Sequence, residues 1–228
     1  MRSRRHAAVF FATLALGLTA CNSNAGPTGE LPTPKADLPA AKPGEVRTAI
    51  FAGGCFWCTE AVFEHVKGVT DVVSGYAGGP KELATYEASN TGTSGHAEAI
   101  KITYDASQIT YAQLLRIFFD AHEPTRLNAQ GPDTGPQYRA AIFYENEDQK
   151  RVAEAYVRQL NEAKMFDAPV VTTLEDLSKS GFYPAEDYHQ NYAAIHPDQG
   201  YVRANVPKKL KKLKERHAAF YVERTIKP

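Results

Sequence analysis

The chain has 228 residues with 43% hydrophobic side chains, enough for one catalytic-sized domain with a buried core plus tails. Its 26 basic and 26 acidic residues balance, which gives no push toward nucleic acid or membrane as substrate, and no nucleic-acid partner is expected. The first stretch is different.

Arg2, Arg4 and Arg5 precede an apolar run from Ala7 to Leu18 that ends in Leu18-Thr19-Ala20-Cys21. A basic start, a short apolar run and small residues at the end describe an export signal over residues 1–21. The run is too short for an ordinary spanning helix. Small residues followed by Cys resemble a bacterial lipobox, which implies cleavage and lipid attachment at Cys21; a plain secretory signal with an incidental Cys is the alternative. The expected location is therefore the periplasmic or cell-surface side of a bacterial envelope, as a membrane-anchored lipoprotein. Residues 22–45 are rich in Pro, Gly, Ala and Asn without periodicity, and predict a disordered tether. Residues 46–206 form the predicted catalytic domain, and residues 207–228 a basic C-terminal tail.

Thr48 to Ala52 reads as a β-run, Gly53-Gly54 as a break, and Thr59 to Lys67 as a helix closed by Gly68. Val62, Phe63 and Val66 are expected inward, Glu60 and Glu64 outward. Cys55 thus lies where a strand hands over to a helix N-terminus, where free backbone N–H groups and the helix dipole favour a thiolate. Cys58, at i+3, is near enough to close a disulfide after modest adjustment, and is expected to keep a more ordinary pKa. If Cys21 is lipidated, Cys55 and Cys58 remain as one redox pair.

Val69 to Tyr76 predicts a strand, followed by the Gly-rich loop Gly75–Pro80 leading to Thr85-Tyr86. In the next strand Glu98, Ile100, Ile102 and Tyr104 share one face, so a carboxylate is placed on the apolar side, where desolvation raises its pKa. Tyr111 to His122 is an amphipathic helix. Glu123 to Pro136 is a polar loop long enough to be functional. Ala140 to Tyr144 is a strand, Glu147 to Lys164 a helix capped by Asn146, and Val170 to Leu174 a strand. The aromatic segment Phe182 to Tyr192 returns to the core. Pro207 to Arg216 reads as a short solvated basic helix, with contact to anionic lipid headgroups as the sharper alternative. This order of elements predicts an α+β domain with a central mixed or antiparallel sheet.

Gly54-Cys-Phe-Trp-Cys58, Gly92-Thr-Ser-Gly-His-Ala-Glu-Ala99, Asp133-Thr-Gly-Pro-Gln-Tyr-Arg139 and Tyr183-Pro-Ala-Glu-Asp-Tyr-His-Gln190 occur in the order found in the A-type peptide methionine sulfoxide reductases. Val46 to Gly200 resembles that family in the Gly-Cys-Phe-Trp-Cys variant. The resemblance implies a two-layer α/β sandwich and reduction of methionine S-sulfoxide, free or in proteins. It makes Glu98 the acid that protonates the departing oxygen. Tyr86 and Tyr138 become hydrogen-bond donors to that oxygen, and Asp133 a residue that orients substrate. Phe56 and Trp57 suit the small apolar S-methyl group. His189 belongs to a matching segment but is read as a local hydrogen-bonding residue.

No Cys follows Cys58, and the region where many family members carry resolving cysteines reads Gly200-Tyr-Val-Arg-Ala-Asn205. Cys58 or an external thiol must then resolve a Cys55 sulfenic acid. No metal, flavin or nicotinamide is expected, only an external dithiol reductant of thioredoxin type, and the expected state is a monomer. A thioredoxin-like thiol–disulfide oxidoreductase is the rival reading of Cys-x-x-Cys, but it accounts for neither Glu98 nor Tyr138.

Overall fold

The computed structural model describes Pro27 and residues 29–226. The predicted signal and Cys21 lie outside the described residues. In chain order the elements are β1 (Val46–Gly53), α1 (Phe56–Glu64), β2 (Val69–Ala77), α2 (Tyr86–Asn90), β3 (Ala97–Asp105), α3 (Tyr111–Ala121), β4 (Ala129–Gln130), β5 (Asp133–Thr134), β6 (Ala140–Tyr144), α4 (Glu147–Glu162), β7 (Thr173–Asp176), α5 (Leu177–Ser180), β8 (Phe182–Pro184), α6 (Tyr192–Ile195) and α7 (Gly200–Arg216).

Six strands form one sheet in the order β7-β6-β1-β3-β2-β8. Every pairing is antiparallel except that of β6 with β7, so the sheet is mixed and the α+β expectation is borne out. Alternation divides its faces. Phe51, Ile100, Ile102 and Ile142 point into the main core with Phe63, Phe118 and Phe119 of α1 and α3. Ile50, Ala52, Ala97, Ala99, Ala141 and Phe143 point to a smaller cluster closed by Leu177 and Phe182. Helices are fixed at their starts by side-chain caps: Thr110 and Gln113 form a reciprocal capping box on α3, and Asn146 accepts from the Gln149 N–H on α4.

Several expectations are corrected. Helix α1 begins at Phe56, three residues earlier than the pattern indicates, which makes Cys55 its N-cap. Glu60 and Glu64 are buried instead of outward. The reason is that α1 packs against β2 on one side and against α6 and α7 on the other, so it has little solvent face. The strand expected at Val170 to Leu174 is displaced to Thr173–Asp176.

The tether reading of residues 22–45 does not hold for its second half. Leu31 is buried, and Leu38 and Ala41 pack on the core. Arg116 donates to the Leu31 carbonyl, Tyr156 to that of Pro32 and Gln159 to that of Thr33. The basic helix of the tail is likewise not simply solvated: it continues from Gly200, buries Val202, Val206 and Leu213, and turns Lys212, Arg216 and His217 onto the buried Asp120 of α3.

Candidate active site

The turn from β1 into α1 is held from below. Gly54 has φ +88°, and a Cβ there would lie 2.4 Å from Gln130 Cγ, so neither the conformation nor the space admits a side chain. Gln130 donates to the Gly53 carbonyl and accepts from the Glu123 N–H, which ties the turn to the loop after α3. The first helical turn then closes on Cys55, whose carbonyl accepts from the N–H groups of Cys58 and Thr59. Both cysteines are reduced and nearly buried, Cys55 at 8% exposure and Cys58 at 3%.

β3 delivers Glu98 to this turn. The Phe56 N–H, a free donor of the helix start, gives a 3.0 Å hydrogen bond to Glu98 Oε2. Burial, at 2% exposure, raises the Glu98 carboxyl to about 8; the Phe56 N–H opposes that rise, while the Asp133 and Cys58 charges add to it. A carboxylic acid still protonated at neutral pH therefore stands beside Cys55, as the strand alternation predicts.

The thiol expectation is reversed. The hydrogen bond with Cys58, burial and the Glu98 carboxylate together push the Cys55 thiol well up, overriding the lowering by the Trp57 backbone N–H at the helix start. Cys58 is the thiol held low: the hydrogen bond from Cys55 outweighs burial, with Lys209 and the Tyr201 hydroxyl acting in the same direction. The helix terminus is one weak donor against a hydrogen-bonded thiol, burial and a nearby carboxylate, and it loses.

Aromatic side chains from the start of α1 gather around His189. Phe56 packs 4.9 Å from the His189 ring and 5.9 Å from Tyr76. Trp57 stacks on Tyr192 at 3.8 Å, and its Nε1–H donates to His189 Nδ1 at 3.1 Å, which leaves the imidazole proton on Nε2. Tyr86, first residue of α2, has its ring 4.5 Å from His189, and its N–H donates to Glu186. Tyr138 ends a short 3-10 turn and is half-buried; burial and the nearby Glu98, Asp133 and Cys55 raise its phenol, so it remains a donor. Asp133 accepts from the Tyr201 hydroxyl, and burial raises its carboxyl against that bond.

The structure therefore brings Cys55, Cys58, Phe56, Trp57, Tyr86, Glu98, Asp133 and Tyr138 to one region. Sequence reasoning missed three others. His189 is a hub touching Phe56, Trp57 and Tyr86. Tyr201 links Asp133 to Cys58, although it lies in the segment noted only for lacking Cys. Lys209 was grouped with a solvated lysine run.

A family model described as peptide methionine sulfoxide reductase matches residues 47–220. The peptide methionine sulfoxide reductase MsrA 2 of Mesorhizobium japonicum is 51% identical over 187 residues, covering 82% of this chain and 94% of that protein. The peptide methionine sulfoxide reductase MsrA of Thermus thermophilus is 50% identical over 173 residues, 76% of this chain and 95% of that one. Among solved structures, Mxr1 from Saccharomyces cerevisiae in reduced form aligns with TM-score 0.60 and 31% identity, over 70% of this chain and 90% of its own. Methionine sulfoxide reductase A of Corynebacterium diphtheriae aligns with TM-score 0.59 and 30% identity, over 77% and 90%.

Proposed function

The chain belongs to the peptide methionine sulfoxide reductase family and is a methionine sulfoxide reductase, and from that premise we propose that it reduces methionine S-sulfoxide, free and in proteins, with Cys55 as nucleophile and Cys58 as resolving thiol. The observation that carries this reading is the buried Glu98, hydrogen-bonded to the N–H that follows Cys55 and with its pKa raised to about 8. A sulfoxide needs attack at sulfur and a proton at oxygen, and these two groups supply both.

Because the resting Cys55 thiol is held up, its proton has somewhere to go only when a sulfoxide oxygen arrives. The substrate S-methyl group lies against Phe56 and Trp57. Tyr86, Tyr138 and the Glu98 acid donate toward the oxygen. The Cys55 sulfur bonds to the sulfoxide sulfur, the oxygen is transferred to Cys55 as a sulfenic acid, and methionine leaves. Asp133 acts through Tyr201 in keeping the pocket ordered. Cys58 then displaces the sulfenic oxygen as water, and an external dithiol of thioredoxin type reduces the Cys55–Cys58 disulfide by exchange. The chemistry is proposed to need no other cofactor. The biological role proposed is repair of oxidised exported proteins, carried out by a lipoprotein anchored through Cys21.

Replacement of each thiol tests the division of labour. Cys55→Ser makes no methionine. Cys58→Ser releases about one methionine per enzyme in a single turnover and stops with Cys55 as sulfenic acid, restarting with a small thiol. Full multiple turnover of Cys58→Ser with a protein dithiol alone overturns the assignment.

A further inference from the structure

Helix α7 presents three cations on one side, Lys209, Lys212 and Arg216, spaced i, i+3 and i+7. The last two share Asp120 Oδ1, at 3.2 and 2.6 Å. Lys209 has no carboxylate within ion-pair distance among the described residues; its ammonium donates to the carbonyl of Ala121, the last residue of α3. A cavity of about 310 Å³ adjoins it, and its lining includes Cys55, Cys58, Tyr201, Asn205 and Lys209. Burial and the Lys212 charge pull the Lys209 ammonium down, and the charges of Cys58, Cys55 and, more weakly, Glu123 oppose that. The cation and the sulfurs thus share one desolvated space, and the anion that complements this ammonium is a thiolate.

We propose that Lys209 is a positioning residue for the resolving step, its ammonium pinned on the end of α3 so as to hold Cys58 as a thiolate beside Cys55. The inference rests on the reading of Cys58 as the resolving thiol. In that step the Cys58 thiolate adds to the Cys55 sulfenic sulfur. The S–S bond forms and the S–O bond breaks. The departing hydroxide takes up the proton Cys58 had released, leaving as water. The oxidising equivalent is the one transferred from the sulfoxide, and Lys209 keeps its charge throughout. The other ionisable groups facing Cys58 are Cys55 and Tyr201, which help Lys209, and Asp133 and Glu98, whose carboxylates oppose it.

The test mixes enzyme with one equivalent of methionine S-sulfoxide, without reductant, and follows methionine and free thiols separately from pH 6 to 9. Lys209→Gln keeps a donor for Ala121 but no charge. It is expected to form the disulfide about tenfold more slowly at pH 7, with the pH midpoint of that step about one unit higher, since each unit of thiol pKa is tenfold in thiolate. Lys209→Arg is expected to restore both. A Lys209→Gln disulfide rate within twofold of wild type at every pH overturns the proposal, as does a Lys209→Arg midpoint displaced equally far. If Lys209→Gln does not fold, the Cys58 thiolate is titrated by its ultraviolet absorbance in Cys55→Ala/Tyr201→Phe, where both neighbouring donors are gone and Lys209 is the group left to hold it low. A midpoint below the ordinary thiol value of about 8.5 supports the inference, and one at or above it overturns it. Absence of stoichiometric methionine from wild type defeats the underlying reading instead.

Discussion

Two buried carboxyl groups show how far a single side chain's environment decides its chemistry. Glu98 is protonated below about 8, so single-turnover methionine release is expected to fall as pH rises through that value. Glu98→Gln keeps a donor but no transferable proton. It is expected to be slower by about 10²–10⁴-fold and to lack that alkaline limb. An unaltered rapid-quench rate across neutral pH contradicts the role. Glu60 has a similar pKa, about 8, from the same dominant cause, burial, but with the Glu64 charge adding to the rise and polar groups of Asn191 and Ser74 opposing it. A carboxyl raised by folding binds a proton in the native state that the unfolded chain releases above about 4.5. Its contribution is therefore complete below that pH and is lost as pH rises through about 8. Glu60→Gln removes this dependence. Relative to wild type it is expected to gain about 2–4 kcal/mol between pH 5 and pH 8.5 in denaturant titrations. The position of Glu98 was legible because strand alternation survives in sequence. The burial of Glu60 was not, because helices contributed from more than 130 residues later cover α1.

At the scale of elements, α7 is the part that composition describes least well. A run of lysines suggests a solvated face, yet the residue that organises it, Asp120, is on α3. Burial works against the Asp120 carboxylate, but His217, Lys212 and Arg216 outweigh it and hold its pKa low. That contribution is present above the ordinary Asp value of about 3.9 and lost as pH falls through the depressed one. Asp120→Asn leaves Lys212 and Arg216 converging without a carboxylate. It is expected to cost about 2–4 kcal/mol at pH 7, the lower part of the buried-pair range because Lys212 and Arg216 are partly exposed. The penalty should shrink in acid, as chemical denaturation at pH 7 and pH 3 would reveal. A penalty equal at both pH values assigns the loss to packing. The β1–α1 turn, by contrast, was readable from Gly53-Gly54 and Cys55, since glycine at a required positive φ is a local signal. The state of the thiol was not readable, because Glu98, Tyr201 and Lys209 reach it only through the fold.

For the whole molecule, the α+β sheet and most of the candidate site follow from periodicity and from four short motifs, while the parallel β6–β7 pair that makes the sheet mixed does not. Nor does the docked segment after Gly29, because it binds through its backbone carbonyls, which carry no side-chain pattern. The proposed anchor is tested by detergent partition. Native protein is expected in the detergent phase with an acyl group on Cys21, and Cys21→Ser in the aqueous phase with turnover unchanged. Native protein without an acyl group in the aqueous phase rules the anchor out. Given the anchor, docking sets a range of action. Eight residue-to-residue steps lead from Cys21 to Gly29, and a fully extended chain of that length spans at most about 28 Å. The enzyme then works within a thin shell over the bilayer, so the damaged methionines within its reach are those of envelope neighbours or of proteins that pass close by. Leu31→Ala, by loosening the docked segment, would lengthen that reach without touching the thiols.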